Sequence, residues 1–476
     1  MYISMIKMHN FKGFLGDSEA RFDSGVNFLV GNNNCGKTSV FSAINFVFKK
    51  QSRDEVITKT LIDNENEYVA VEIEICGDDI ENYLESDSNL KKYKAAIYQN
   101  ESGVSSIRIK RTSEDIGKVL VYLPEKDTYE NISGIDKTIS ALFEPQFVWA
   151  DTSSSDIVNF SNTKVCGKII NTVVGANLGD NWKRLKDVHA ETFKDINSKL
   201  KPVEEKIETM LSEQYGGEAK VNFHFSLPEV SEFLKTGNLE LSEDGITTAS
   251  SEKGTGMQRA LALTLIQVFA DIYNKEDDKH SKPILFFLDE PETFLHPKAQ
   301  EKLIDALEKI SDQSQTFIIT HSPYLLRKYK KETHSINIFS KTSGVNNIKA
   351  GIELGILGPL SPSWGEINYH AFDISSNEFH NELYGYLQEL AANNYDSKYY
   401  SPAEFDSYLV GHSIPKDIDY IHITPNGEKK YKTTLPTYIR NQIHHPENQK
   451  NTKFSEGQLE ESVNLLIRAI EQETNI

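Results

Sequence analysis

Gly31-Asn32-Asn33-Asn34-Cys35-Gly36-Lys37-Thr38 has the spacing G-x-x-x-x-G-K-S/T, and Ser39 follows it. Consecutive N–H groups of such a loop, with the first turn of a following helix, make a concave site for phosphate oxygens. Gly36 lets the main chain approach closely, Lys37 reaches the β- and γ-phosphates of a nucleoside triphosphate, and Thr38 offers a hydroxyl to Mg²⁺. About 250 residues later the apolar run Ile284 to Leu288 ends in Asp289 and Glu290. Asp289 at a strand end would help hold Mg²⁺, and Glu290 would take the proton of an attacking water as general base. A further apolar run, Thr316 to Thr320, delivers His321, which can bond a γ-phosphate and report its presence. Each feature also has a plainer reading: a Gly/Asn loop, an acidic turn, a structural histidine. Their flanking elements favour the triphosphate site.

These residues need elements to hold them. Tyr2 to Met8 is β-prone, Val26 to Val30 is a short strand entering the loop, and Val40, Ile44, Val47 and Phe48 recur at helical spacing. The loop therefore sits between a strand and a helix, the context its chemistry requires. Residues 55–150 alternate over Tyr68 to Ile75 and Ala95 to Tyr98, which predicts a β-rich subdomain. The charged stretch from Trp182 to Glu213, with apolar residues at helical spacing, predicts a short helical insertion over about 180–215. From 220 to 350 strand-like and helical runs alternate, as in an α/β sheet. Ser250 to Arg259 precedes an apolar helix, Ala260 to Ala270, and its Ser and Gly residues suit an ordinary helix cap. The expected division is a first domain over 1–345, a linker over 346–370 containing Gly358-Pro359-Leu360-Ser361-Pro362-Ser363, and a mainly helical domain over 371–476.

Composition narrows the function. Fifty-one Lys and Arg against 70 Asp and Glu give a net charge of −19, too acidic for a generic polyanion binder. Nucleic-acid contact then needs a local patch, at Lys183, Arg184 and Lys186 or at Arg327, Lys328, Lys330 and Lys331, unless these are simply solvated helix faces. No apolar run approaches the roughly 20 residues that span a bilayer. The start of the sequence has no signal-peptide pattern. Cys35, Cys76 and Cys166 are too few and too scattered for a disulfide framework or a Cys-based zinc site. A cytoplasmic location without membrane contact is expected.

The whole pattern resembles the ABC-type ATPases of the SMC, RecF and OLD kind, AAA-family ATPases of bacterial anti-phage defence operons. The residues that carry the likeness are N-F-K-G-F at Asn10 to Phe14, the loop at 31–39, S-E-K-G-T-G-M-Q-R at 251–259, L-D-E-P-E at 288–292, L-H-P at 295–297 and T-H-S-P at 320–323. The resemblance implies an α/β ABC-type P-loop ATPase head that binds ATP with Mg²⁺ through residues 31–39 and Asp289. It also implies that Ser251, Lys253, Gly254 and Gly256 belong to a signature motif closing on ATP held by another subunit, so that the working unit is at least a dimer. The motif departs from the usual L-S-G-G-Q. Gln146 is a candidate for a Gln-loop.

In the tail, Arg440-Asn441-Gln442-Ile443-His444-His445 resembles the R-x4-H element of HEPN ribonucleases, whereas no strand-borne Glu with a D-x-D pair marks a Toprim nuclease. Arg440 would stabilise a pentacoordinate phosphate while His445 moves a proton at the 2′-OH or at the leaving oxygen. On a continuous helix His444 shares the Arg440 face, but Pro446 biases His445 out of helical geometry. The plainer reading is a helix C-terminus, with the histidines at the dipole and Arg440 paired to a carboxylate. Two arrangements of an anti-phage, abortive-infection switch follow. In one, the ATPase senses a phage-derived or nucleic-acid trigger and controls its own RNase tail. In the other, it holds and releases an operon-encoded toxin or nuclease, as the PARIS, Septu and retron-associated ATPases do. A RecF-like repair ATPase is a third.

Overall fold

The structure, a computed structural model, describes residues 1–49, 68–86, 90–135, 143–148, 161, 166–170, 179–215, 217, 220–225, 235, 237, 239–273, 283–312, 314–425 and 427–474. The chain divides into two compact units. One comprises Met1–Ala150, Lys282–Glu292 and Pro297–Ile476, and the other Asp151–Ser281 with Thr293–His296. The division expected near residue 345 does not separate these units.

Strands β1 (Tyr2–His9), β2 (Asp17–Arg21) and β3 (Val26–Gly31) precede helix α1 (Lys37–Phe48). β1 is only partly alternating, and its pairing with residues 70–76 shifts register between Ile3 and Met5, whereas β3 is buried at every position. Next come β4 (Ala70–Cys76), α2 (Ile80–Ser86), β5 (Tyr98–Gln99), β6 (Ser105–Thr112), β7 (Val119–Leu123) and β8 (Thr128–Glu130). They complete an antiparallel sheet ordered β2-β1-β4-β6-β7-β8, with β5 added to β6. Part of the expected strand at Ala95 to Tyr98 is instead a 3₁₀ turn over Lys91–Ala96. Tyr93 and Ala96, three residues apart, are its buried residues, which is the period of that turn rather than of a strand. β9 (Glu144–Val148) belongs to the second sheet.

The other unit contains α3 (Gly179–Tyr215), a single helix of 37 residues with Pro202 inside it. It also holds the hairpin β10 (Glu240–Glu243) and β11 (Ile246–Ala249), followed by α4 (Thr255–Tyr273).

The second sheet is completed by β12 (Ile284–Asp289), α5 (Pro297–Ser311), β13 (Gln315–Thr320), the short α6 (Pro323–Leu326), β14 (His334–Thr342) and β15 (Val345–Ala350). Its order is β15-β14-β3-β13-β12-β9, parallel except for the β14–β15 pair. β3 thus lies between β14 and β13, two strands from much later in the chain, as crossover connections in an α/β sheet allow. Phe287 stacks on Phe317 at 4.7 Å and on Phe147 at 4.5 Å, and Phe41 of α1 meets Phe287 edge-on at 5.2 Å. Helix α1, which follows the loop, is therefore fixed against β12 by aromatic packing.

Residues 346–370 are not a linker. They hold most of β15, short 3₁₀ turns and the start of α7 (Trp364–Phe372). Pro and Ser serve here as turn and cap residues: Ser363 caps α7 by accepting from the Glu366 N–H. Beyond it, α8 (Asn377–Asn394), α9 (Pro402–Gly411), β16 (Ile418–Thr424), β17 (Gly427–Thr433), α10 (Leu435–His444) and α11 (Glu456–Thr474) form the tail. Phe379, Leu383, Leu387, Phe405, Leu409, Val463 and Leu466 make its core. The β16–β17 hairpin lacks an apolar alternation, since β17 is exposed along almost its whole length, so periodicity does not reveal it. Among the described residues no helix is long and apolar enough to cross a membrane.

Candidate functional site

The loop from Gly31 to Ser39 is built on two glycines that no other residue replaces without strain. Gly31 has φ 145° and a Cβ there would lie 2.1 Å from the Phe339 carbonyl oxygen. Gly36 has φ 95°, and its Cβ would meet Asn346 Nδ2 at 2.5 Å and the Phe14 ring at 2.8 Å. Asn32, Asn33 and Asn34 are exposed on the loop, while Cys35 is buried and donates to the Asn32 carbonyl at 2.7 Å. Helix α1 starts from Gly36 with no side-chain cap and no acidic residue in its first turn. Its end N–H groups and positive dipole end are therefore not matched by a carboxylate from its own first turn. The Lys37 ammonium is buried and donates to the carbonyls of Gly31 (2.9 Å) and Asn32 (2.8 Å). Burial lowers its pKa, so it is a desolvated cation that gains from meeting anionic oxygens.

The acidic half of the site stands on the neighbouring strands. β3, β13 and β12 are adjacent and parallel, and their carboxyl ends present the loop, His321 and Asp289 together. Thr38 Oγ1 donates to Asp289 Oδ2 at 3.3 Å. Among the described residues no group of three or more His, Cys, Asp or Glu side chains could hold a metal. The Thr38–Asp289 pair fits Mg²⁺ instead, which takes one or two protein oxygens and completes its shell with water and phosphate. Glu290 has φ 47°, held there by its N–H bond to the Ile319 carbonyl at 2.9 Å. Its Oε1 lies 3.6 Å from His321 Nε2. Burial, and then the Lys37 charge, lower the His321 pKa, which keeps the ring neutral at neutral pH.

Two supporting residues are given no role by the sequence reading. Glu292 is buried and accepts from Thr320 Oγ1 at 2.6 Å and from the His321 N–H at 3.1 Å, so it fixes the backbone that carries His321. Burial raises its pKa. Its place in L-D-E-P-E was the only signal. Asn346 of β15, inside the expected linker, packs against Gly13 and Gly36 and donates its N–H to the Gly13 carbonyl at 2.9 Å. Gln146 lies within β9, buried and paired in register with Phe286, rather than in a loop.

The signature residues lie in the other unit. Ser251 and Gly254 are exposed in the turn before α4, and Gln258 Nε2 donates to the carbonyls of Ser251 and Lys253 at 3.0 and 2.6 Å. Lys253 pairs with Glu243 at 3.5 Å, and a Cβ on Gly256 would touch the Phe294 carbonyl at 3.1 Å. Of the two candidate basic patches, 327–331 is used internally. Lys328 pairs with Asp305, Lys330 with Glu308 and Lys331 with the Pro359 carbonyl, while Arg327 stacks on Trp364. Lys183, Arg184 and Lys186 are exposed on α3.

In the tail, α10 ends at His444, and His445 is its C-cap at φ −127°, ψ 60°. Arg440 and His445 line one cavity of about 310 Å³ with Asp406, Lys416, His422 and Tyr431; His444 does not. Among the described residues Arg440 pairs with no carboxylate, in contrast to the plainer reading of this helix end, and bonds the Asn441 amide oxygen at 3.1 Å. His445 Nδ1 lies 3.3 Å from Glu447 Oε1.

The family described as AAA ATPase domain matches residues 1–165 and 150–326. The Old nuclease of Escherichia phage P2 is 28% identical over 342 residues, covering 66% of this chain and 56% of that protein. The structural maintenance of chromosomes protein 3 homolog of Plasmodium falciparum is 25% identical over 256 residues, covering 48% of this chain and 19% of that protein. The chain thus spans about half or less of the length of these curated relatives. Among solved structures, an SMC head bound to the C-winged helix domain of ScpA aligns with TM-score 0.44 at 17% identity, over 74% of this chain and 97% of that one. The SMC head domain from Thermotoga maritima aligns with TM-score 0.37 at 16% identity, over 74% and 99%.

Proposed function

Because the chain belongs to the family of AAA ATPase domains, we propose that it is an ATP-driven switch of an anti-phage defence system whose output is RNA cleavage by its own C-terminal helices. The observation that carries the ATP half is the meeting of Lys37, Thr38, Asp289, Glu290 and His321 at the ends of adjacent parallel strands. Lys37 and the first turn of α1 bind the phosphates. Thr38 and Asp289 would hold Mg²⁺, which when bound neutralises phosphate charge. Glu290 accepts the proton of a water aimed at the γ-phosphorus, and neutral His321, held by Glu292, bonds the γ-phosphate and loses that partner after hydrolysis. The exposed Ser251 and Gly254 are available to the ATP of a second copy, which makes the proposed site composite and the unit at least a dimer.

A nuclease output is supported by similarity to a protein named Old nuclease and by the shared cavity of Arg440 and His445. Arg440 balances the charge of the pentacoordinate phosphate, and the RNA 2′-OH is the nucleophile. The test is to purify the chain and measure ATP hydrolysis and cleavage of single-stranded RNA. Loss of cleavage in Arg440→Ala and His445→Ala, with ATP turnover intact, is the expected result. Cleavage found only in a co-purifying protein, or none by either, would remove the tail from the chemistry.

A further inference from the structure

The C-terminal cavity contains a residue that no motif assigns. His422 lies on β16, two residues past Tyr420, so strand alternation sets both on one face, with Tyr431 of β17 opposite Tyr420. All three line the cavity with Arg440 and His445. Among the described residues the His422 side chain makes no hydrogen bond or ion pair, and the residue is exposed. Both of its ring nitrogens are therefore open to a ligand in that cavity.

We propose that His422 is a second catalytic histidine, the general acid that protonates the leaving 5′ oxygen of a cleaved RNA strand; this rests on the reading of the tail as RNA-cleaving. The roles of the two histidines follow from their partners. His445 Nδ1 faces the Glu447 carboxylate at 3.3 Å, which favours a proton on Nδ1 and leaves Nε2 as the basic nitrogen. That arrangement suits a base. Among the described residues His422 has no carboxylate partner, and Lys429 is its register partner on β17. It is the free proton carrier.

The cavity also separates the cations. The Lys416 ammonium is tied to Asp406 at 2.9 Å, and Asp406 further accepts from the N–H and hydroxyl of Thr434. Among the described residues Arg440 has no carboxylate partner, which leaves its charge for the phosphate. His445 removes the 2′-OH proton, the 2′ oxygen forms a bond to phosphorus, and the P–O5′ bond breaks. The 5′ oxygen leaves with the His422 proton, giving a 2′,3′-cyclic phosphate and a 5′-hydroxyl. The volume of about 310 Å³ fits a ligand group of nucleotide size.

The experiment uses the full chain with ATP, Mg²⁺ and a short single-stranded RNA of mixed sequence, made with oxygen or with sulfur at the bridging 5′ position. A thiolate leaves without a proton. His422→Ala should therefore cleave the oxygen substrate about 100-fold more slowly or worse, yet cleave the sulfur substrate near the wild-type rate. His445→Ala should be slow on both, and unchanged ATP turnover in each variant reports an intact fold. If wild type cleaves and His422→Ala matches it, or if sulfur fails to rescue His422→Ala, the acid assignment is overturned while the RNA-cleavage reading stands. If wild type leaves both substrates whole, that underlying reading falls and takes the assignment with it.

Discussion

Glu290 and Glu292 are two residues apart and do opposite work. Glu290 is half-exposed beside His321, as the proposed base requires, whereas Glu292 is enclosed and bonds the strand end that carries His321. Glu290→Gln should leave ATP binding near wild type and lower turnover about 100-fold or more, read by fluorescent-nucleotide titration beside phosphate release. Lys37→Ala should abolish binding in the same titration. Because burial favours the neutral form of Glu292, Glu292→Gln should melt within about 2 °C of wild type, while Glu292→Ala should lose about 1–3 kcal/mol through the orphaned Thr320 hydroxyl and His321 N–H. Lys37, Thr38, Asp289 and Glu290 are legible in the sequence because phosphate and metal chemistry fixes residue type and spacing together. Asn346 is not, since what it supplies is shape beside Gly36, and shape leaves no local pattern.

At the level of elements, buried parallel strands are the readable ones: β3, β12 and β13 are buried at every position, each carries an apolar run at its centre, and each stops where polar chemistry begins. The β16–β17 hairpin escaped because its exposed faces carry Lys and Glu, and β15 escaped because a neighbouring Pro/Gly/Ser stretch looks like a spacer. The turn from β3 into α1 is the most constrained element of the site. Gly31→Ala forces a Cβ against the Phe339 carbonyl at a φ only glycine adopts easily, and should cost at least about 1–3 kcal/mol with loss of nucleotide binding. Chemical denaturation measured together with nucleotide titration checks both parts. Normal stability in that variant would mean that the turn relaxes at little cost.

For the molecule as a whole, the closed tail core sets a lower pH limit. Burial holds His370 and His380 down at about 4 from an ordinary 6.5. Between those values the unfolded chain binds protons that the folded chain does not, so stability rises with pH there and is lost as pH falls from 6.5 toward 4. Urea midpoints taken across this window should drop on acidification, and His380→Gln should flatten the slope. The trapped Glu290→Gln chain with ATP should also double its mass in light scattering, as a composite site requires. The position of β3 has a further consequence for biosynthesis. Its sheet neighbours β13 and β14 are encoded roughly 290 to 310 residues later, so the first strand of the nucleotide pocket waits unpaired on the ribosome until those residues have been made. Arg440 and His445 emerge after those neighbours, so the machinery that would restrain a harmful output can be assembled before the output itself exists.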